Sequence, residues 1–285
     1  MKPVLLPLAQ HFGRVAIRRR GVVSRTVRTA HGHVHVYDAK GSGPLPTIVM
    51  LHGIGSGATA FGRVLLGLRA HACRVVAPDY PGHGFSELEG RLTPQSLEAA
   101  LYEVLDALNV GPAIFVGNSM GGALALGHAR ARPENTSGLV LVSPAGAHSS
   151  PAEWRELRAT FGMSSRADAV AFLDRLYHRT PRLMSVLAHE FPALMSRPAV
   201  QDLLAAAKNE DLPSPSDLAA LTMPVLLLWG KSERLLPASH LAHFRRHLPP
   251  HARIEEPEGY GHCPQYEDPI GLTQRIVHFC QEIAH

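Results

Sequence analysis

The stretch Ile114-Phe-Val-Gly-Asn-Ser-Met-Gly-Gly122 decides the fold, because a serine between glycines joins an apolar run to a helix-forming run. It contains the motif G-x-S-x-G from Gly117 to Gly121, with Ser119 at its centre. A sharp strand-to-helix turn brings neighbouring backbone too close for side chains, so glycine must flank it. An ordinary Gly-Ser turn is the simpler alternative. The context instead predicts an elbow that lifts the Ser119 hydroxyl above the sheet, at a helix start that favours negative charge.

Strand-like and helix-like runs alternate on both sides of this elbow. The predicted strands are a hairpin of Val22–Thr29 and His33–Tyr37 that turns at His31-Gly32, followed by Thr47–Leu51, Arg74–Ala77, Ala113–Val116, Gly138–Val142, Pro224–Trp229 and Ala252–Glu256. The predicted helices are Thr59–Ala70, Pro94–Leu108, Met120–Arg132, Ala238–Leu248 and Ile270–Ile283. This alternation predicts an α/β fold with a mostly parallel sheet and helices on both of its faces.

The strand pattern stops between about Gly146 and Asp217, where helical runs follow one another between prolines. Because the sheet pattern resumes afterwards, we expect residues 146–217 to form a helical cap inserted into one core. That core comprises residues 22–145 and 218–285. The cap charges nearly balance, with eight Lys/Arg from Arg155 to Lys208 against nine Asp/Glu from Glu153 to Asp217. A strongly ionic substrate is therefore not indicated.

Composition narrows the class of protein further. With 285 residues, 45% of them apolar and 18% charged, the chain suits one large globular domain. No apolar run approaches the roughly 18 residues that a membrane-spanning helix needs. The three scattered cysteines, Cys73, Cys263 and Cys280, indicate reduced thiols and predict a cytoplasmic protein. Oligomeric state has no signature in the sequence.

The N-terminal segment carries most of the positive charge. Residues 1–37 hold seven Lys/Arg, beginning with Lys2, and no acid, while the whole chain has a net charge of +4. We define residues 1–21 as a basic arm, in which apolar residues are interspersed. The arm predicts either a solvated basic helix packed on the body or an amphipathic segment that contacts an anionic membrane surface.

A serine nucleophile needs a base, and His262 is the best-placed histidine. It follows the predicted strand Ala252–Glu256 and precedes the last helix, so its loop emerges at the same edge of the sheet as Ser119. Its position also gives the chain order serine, acid, histidine. Four other histidines lie on or near a surface helix and are weaker candidates: His240, His243, His247 and His251.

The acid that orients His262 should follow a strand between the serine and the histidine. Glu233 does so, in the stretch Trp229–Pro237, although it could instead form an exposed pair with Lys231 or Arg234. Because glutamate is one methylene longer than aspartate, its loop must sit farther back or its side chain must fold. Three other acids are less well placed: Asp79, Glu258 and Asp268.

Two backbone N–H groups should stabilise the oxyanion. We assign one to Met120, directly after the nucleophile, and the other to Ile54 in the loop His52-Gly-Ile-Gly-Ser-Gly57. This loop lacks the Lys-Ser/Thr ending of a P-loop, so nucleotide binding is not indicated. No cofactor and no nucleic-acid partner are expected. His31, His33 and His35 alternate and could ligate a metal from one face of a strand, but a hairpin turn at Gly32 separates the three side chains, so no metal site is expected.

These motifs together resemble a capped α/β-hydrolase of the serine-nucleophile kind, from about Val22 to the C-terminus. The resemblance rests on five stretches in order: His52-Gly53, Asp79–Ser86, Gly117–Gly122, Gly230–Pro237 and Gly261-His262. A serine at 119 differs from the aspartate of haloalkane dehalogenases and epoxide hydrolases. The family usually carries aspartate where Glu233 stands.

Within that family the chain is similar to carboxylesterases and monoacylglycerol-lipase-like hydrolases, through Ser143–Gly146 and the helical cap. The resemblance implies an esterase for uncharged esters of small to medium acyl chain. The stretch Asn118–Gly122 is also similar to carbon–carbon hydrolases of ring-cleavage products. Those enzymes usually have proline where Ser56 stands and tryptophan where Cys263 stands, which favours the esterase. A ligand-binding protein without turnover is a third class, which the complete set Ser119, Glu233 and His262 disfavours.

Overall fold

The computed structural model describes residues 3–283, and its eight strands form one sheet. The strands are β1 (Val23–Thr29), β2 (Gly32–Lys40), β3 (Thr47–Leu51), β4 (Arg74–Pro78), β5 (Ala113–Asn118), β6 (Thr136–Val142), β7 (Val225–Leu228) and β8 (Arg253–Glu255). Their order is β1-β2-β4-β3-β5-β6-β7-β8, and every pair from β4 to β8 is parallel. The predicted α/β fold is confirmed. The hairpin of β1 and β2 also forms, with Thr29 opposite Gly32, so its turn lies at Ala30-His31.

Helices connect the strands and cover the sheet. They are α1 (Leu5–Arg19), α2 (Gly62–Leu68), α3 (Pro94–Ala107), α4 (Met120–Ala131), α5 (Pro151–Phe161), α6 (Arg166–Leu176), α7 (Arg182–Leu187), α8 (Phe191–Met195), α9 (Pro198–Ala206), α10 (Pro215–Ala219), α11 (Ala238–His247), α12 (Pro264–Glu267) and α13 (Pro269–Ile283). The short α12, directly after His262, is absent from the sequence prediction. It has only four residues, too few for a helical period to show.

Alternating side chains of the central strands explain why both faces of the sheet are covered. In β3, Val49 and Leu51 enter one apolar cluster, which also contains side chains of α3, α4 and α11. Ile48 and Met50 enter a second cluster on the opposite face, together with side chains of α2 and α13. Both pairs are fully buried, as a doubly covered parallel sheet requires.

The six helices α5–α10 lie between β6 and β7, in the stretch for which a cap is predicted. Serine capping boxes begin three of them, at Ser150, Ser165 and Ser214. We call α5–α10 the helical segment. Its α10 ends at Ala219, two residues beyond the boundary expected at Asp217. Its apolar side chains form a third cluster that includes Leu235 of the β7–α11 loop, so the segment packs on the sheet edge.

The basic arm contains α1, and α1 packs on the body of the protein. Ile17 is buried in the cluster of α2 and α13, and a Cβ on Gly62 would lie 2.7 Å from its side chain. The N-terminal end of α1 is held by Glu190, whose carboxylate accepts hydrogen bonds from the N–H groups of Val4, Leu5 and Leu6. Met1 and Lys2 of the arm, with residues 284 and 285 of the core, lie outside the described residues.

Strand register brings four strand ends to one edge of the sheet. Leu51 of β3 pairs with Gly117 of β5, and Asn118 of β5 pairs with Val142 of β6. Val142 in turn pairs with Leu228 of β7. The loops that follow these strands therefore meet at the carboxyl edge, where open α/β sheets bind their ligands.

Candidate active site

Ser119 sits in the elbow between β5 and α4 with a backbone that residues other than glycine rarely adopt. Its φ is 54° and its ψ is −121°. The backbone around Ser119 comes so close to its neighbours that both glycines of the motif are required. A Cβ on Gly117 would lie 2.3 Å from the Gly121 oxygen, and a Cβ on Gly121 would lie 2.0 Å from the Leu51 oxygen. Close backbone packing at both glycines therefore holds the elbow, which is how strain persists at functional sites.

The structure brings His262 and Glu233 together. Their distance is 2.8 Å from the His262 Nδ1 to the Glu233 Oε2, and both side chains are almost completely buried. With the Nδ1–H donating to the carboxylate, the Nε2 of His262 is the free ring nitrogen. His262 and Ser119 line the same cavity.

The Glu233 side chain folds back onto its own loop. Its Oε1 accepts hydrogen bonds from the N–H groups of Leu235 and Leu236, at 2.8 and 3.0 Å. This folding takes up the extra methylene of glutamate while the Oε2 reaches His262. Burial would raise the pKa of the carboxyl, but the neighbouring His262 and these hydrogen bonds hold that pKa below its usual range. Glu233 is therefore ionised at neutral pH.

The three competing acids have other partners. Asp79 is buried and accepts from His35 and from the N–H groups of Ala58 and Phe85, so it shapes the loop after β4. Glu258 forms an ion pair with Lys231 at the surface. Asp268 accepts from Tyr260 and from the N–H of Gly271.

The alternating histidines His33 and His35 have different partners. His35 binds Asp79 and Ser24, whereas His33 is half-exposed and pairs with Glu87. The ligand atoms of His33, Glu87 and Glu89 lie within 4.8 Å of one another, but this cluster is at the surface, away from Ser119. Glu89 there also forms a two-bond ion pair with Arg28.

Asn118 connects the serine and histidine loops, a role that the sequence analysis did not assign. Its side-chain amide donates to the carbonyl of Val142 at 3.0 Å and to the carbonyl of His262 at 2.9 Å. Its oxygen accepts from Gln265 at 3.0 Å. A polar residue at the end of a fully buried strand was the available signal.

The helical segment fixes the other side of the histidine loop. The N–H of His262 donates to the carbonyl of Leu176, at the end of α6, at 2.8 Å. A Cβ on Gly261 would lie 2.6 Å from the N of His178, so glycine permits this close contact. The His262 backbone is thus held by Asn118 on one side and by α6 on the other.

Two cavities meet at Ser119. The first, of about 230 Å³, is lined by His262 and by side chains of α1, α6, α7 and α8, and we call it the His262 cavity. The second, of about 260 Å³, is lined by Met120 and by side chains of α3, α4, α5 and α9, and we call it the Met120 cavity. Ile54 and Ser119 border both. Met120 begins α4, so its N–H has no partner within that helix.

Comparison with known proteins identifies the family. The model of the alpha/beta hydrolase family matches residues 48–274. The chain belongs to that family. This hydrolase is 28% identical over 282 residues to an uncharacterised protein of Mycobacterium tuberculosis, with 88% of this chain and 80% of the relative covered. The resemblance drawn from the motifs is confirmed at the level of the fold and the family.

Two further likenesses are to proteins whose names give different activities. The hydrolase is 28% identical over 267 residues to a 2-hydroxy-6-oxononadienedioate/2-hydroxy-6-oxononatrienedioate hydrolase of Cupriavidus pinatubonensis, with 82% of this chain and 86% of that protein covered. Its structure is similar to that of carboxylesterase CesB from Bacillus subtilis, with a TM-score of 0.77, 20% identity, and 97% and 98% of the two chains covered. At that identity the second likeness shows the fold alone.

Proposed function

We propose that this hydrolase cleaves uncharged carboxylic esters through an acyl-enzyme on Ser119. The observation that carries the proposal is the buried contact of 2.8 Å between His262 and Glu233 beside the cavity that Ser119 lines. A base oriented by an ionised carboxylate is what a serine hydroxyl needs to become a nucleophile.

In the proposed reaction, the Ser119 Oγ attacks the ester carbonyl while the Nε2 of His262 takes the hydroxyl proton. Glu233 stabilises the imidazolium that forms. The N–H groups of Ile54 and Met120 bind the oxyanion of the tetrahedral intermediate. His262 then returns the proton to the alcohol oxygen as the C–O bond breaks, which leaves an ester on Ser119. Water activated by His262 hydrolyses that ester and releases the acid.

The position of His262 assigns the two cavities. Because His262 must protonate the departing oxygen, the alcohol part of the ester lies in the His262 cavity. The acyl chain then lies on the other side of the carbonyl, in the Met120 cavity. Leu124, Leu157 and Leu203 give that cavity apolar walls.

The charge of the lining favours an ester over a carbon–carbon hydrolase substrate. A dienedioate carries two carboxylates, which a buried site must balance with cations. No Lys or Arg is among the described residues that line the His262 cavity. Among the described residues that line the Met120 cavity, the cation is Arg130, which already pairs with Asp217, and Glu98 and Glu210 line the same cavity.

The test is turnover of p-nitrophenyl esters of increasing acyl length, measured beside a 2-hydroxy-6-oxo-dienoate ring-cleavage product. We expect the esters to be hydrolysed and the dienoate to be a poor substrate. Ser119→Ala should lower ester turnover on the order of 10⁴-fold or more while the protein stays folded. Ser149→Ala, which removes a buried hydroxyl that lines neither cavity, is the matched control and should retain far more activity.

Two results would overturn the proposal. Near-wild-type turnover by folded Ser119→Ala would show that Ser119 is not the nucleophile. Efficient cleavage of the dienoate with little ester turnover would show that the enzyme is a carbon–carbon hydrolase. A fluorophosphonate probe gives an independent readout, because it should label the peptide that contains Ser119 in the wild type and leave Ser119→Ala unlabelled.

A further inference from the structure

Large apolar side chains are exposed together on two neighbouring helices. Single exposed apolar residues are ordinary, but a group of them on one surface indicates an interaction site. On α1 and the residue before it, four are exposed to between 43% and 65%, and on α7 two are exposed to 61% and 63%. We call these six the apolar rim: Val4, Leu5, Leu8, Phe12, Leu183 and Val186.

The members of the rim on α1 occupy one side of that helix. Val4, Leu8 and Phe12 follow at intervals of four residues, which places them on one face. The opposite face packs on the body through Leu6 and Ile17. The helix is therefore apolar on its solvent side as well as on its packed side, an arrangement that folding of this chain alone does not explain.

The rim reaches the entrance to the His262 cavity. Leu183 lines this cavity and yet exposes 61% of its surface, so it marks the mouth. Ala9 of α1 lines the same cavity and is exposed too. Glu190, three residues after α7 ends, holds the first turn of α1, which keeps the two helices side by side.

Arginines continue the surface of α1 beyond the apolar residues. Arg19 lies seven residues after Phe12, on the same face, and Arg18 and Arg20 flank it. All three are exposed, and no ion pair joins them to a carboxylate within residues 3–283. The first acid of the chain is Asp38, which binds Arg25 and Arg74 instead.

We propose that the apolar rim and Arg18–Arg20 form a docking surface for an anionic lipid bilayer, which sets the mouth of the His262 cavity against the lipid. Apolar side chains beside unpaired arginines match the boundary between acyl chains and phosphate headgroups. No helix within the described residues is long and apolar enough to cross a bilayer. A second copy of the chain suits this surface less well, because in a two-fold contact through α1 the partner's α1 would offer the arginines no carboxylate.

The test is binding to sedimented vesicles of phosphatidylcholine, with and without about a quarter phosphatidylglycerol. We expect the wild type to bind the anionic vesicles more tightly, and added salt to reduce the difference. Leu8→Gln/Phe12→Gln and Val186→Gln should weaken binding to both vesicle types. Arg18→Gln/Arg19→Gln should weaken binding to the anionic vesicles alone by about 30-fold, since each basic residue near such a surface contributes about fivefold.

Matched controls remove the same chemistry elsewhere. Ile270→Gln changes an exposed apolar residue on α13, and Arg155→Gln/Arg246→Gln removes two exposed arginines from α5 and α11. Both should bind like the wild type. Thermal melting of every variant shows that it is folded.

Three outcomes would overturn the proposal. The first is no binding of the wild type to anionic vesicles, and the second is equal loss in the rim and control variants. The third is concentration-dependent self-association that Leu8→Gln/Phe12→Gln abolishes while vesicles remain unbound, which would make the rim an interface between copies. None of these results depends on turnover.

Delivery of substrate from the bilayer follows, and this step rests on the proposed function. Leu8→Gln/Phe12→Gln should lower turnover of an ester embedded in anionic vesicles by at least tenfold and leave turnover of a short soluble ester unchanged. A loss of both activities would contradict delivery, because neither Leu8 nor Phe12 lines the cavity.

Discussion

At the scale of single residues, Glu233 determines how the proposed base is held. We predict that Glu233→Gln lowers kcat by about 10²–10⁴, because it removes both the tautomer control of His262 and the stabilisation of its imidazolium. Glu233→Asp should keep more activity than Glu233→Gln but less than the wild type, since the shorter side chain must reach both His262 and the loop N–H groups. Steady-state kinetics with a soluble ester measures this order. Wild-type kcat in folded Glu233→Gln, with Asp79→Asn inactive, would show that the acid is misassigned.

The Glu233 carboxyl should also make the free energy of unfolding depend on pH in the acid range. The pKa of Glu233 is lower in the folded protein than its usual value of 4.5, so its ionised form stabilises the fold above that pH. This contribution is lost as pH falls through the folded pKa. Chemical denaturation at a series of pH values should therefore show a steeper loss of stability below pH 4.5 in the wild type than in Glu233→Gln. The exposed Glu258→Gln should retain the wild-type slope. Equal slopes in all three proteins would exclude a stabilising role for the ionised Glu233.

At the scale of elements, α4 begins at the elbow of Ser119, and its next turn lines the cavity proposed for the acyl chain. Ala123 lies one turn after the elbow and lines the Met120 cavity, not the His262 cavity. In the wild type, medium acyl chains should outperform acetyl, since each buried methylene contributes about 0.8 kcal/mol until the cavity is full. We predict that Ala123→Phe shortens the preferred acyl chain and leaves acetyl ester turnover within a few-fold of wild type. Rates across the p-nitrophenyl ester series measure both effects.

The control variant is Ala9→Phe, in the His262 cavity, which should instead change the preference for the alcohol. A change in the preferred acyl length in Ala9→Phe would reverse the assignment of the two cavities.

At the scale of the whole molecule, α1 joins the helical segment to the sheet. Glu190 holds its first turn, and Ile17 anchors its last turn on the face that carries α2 and α13. Burial would raise the pKa of Glu190, but the three N–H donors hold that pKa below its usual range. We predict that Glu190→Gln weakens this anchor by about 1 kcal/mol, the size of a lost helix cap.

Hydrogen exchange measures that anchor. Amides of residues 5–19 should exchange several-fold faster in Glu190→Gln, while those of α3 remain as in the wild type. The exposed Glu134→Gln serves as a control and should leave both helices unchanged. Unchanged exchange in α1 would mean that Ile17 alone holds the helix.

Local patterns and long-range contacts explain what the sequence could predict. Short motifs and their order along the chain were enough to predict the elbow at Ser119, the alternation of strands and helices, and the position of His262. Asn118 and His262 are 144 residues apart, and Leu6 and Glu190 are 184 residues apart. Such contacts depend on how elements pack, and a single sequence carries no record of them. The folded-back Glu233 side chain is intermediate, because the sequence posed the two possible geometries and the structure shows which one occurs.

The helical segment leaves the sheet after β6 and returns at β7, and these two strands are neighbours. Because the two strands are parallel, the excursion starts at the carboxyl end of β6 and ends at the amino end of β7, at the opposite edge of the sheet. This excursion supplies part of the lining of both cavities, while Ser119, Glu233 and His262 all belong to the sheet loops. Exchanging the excursion for another that connects the same two strand ends would change part of the substrate pocket around an unaltered reaction centre.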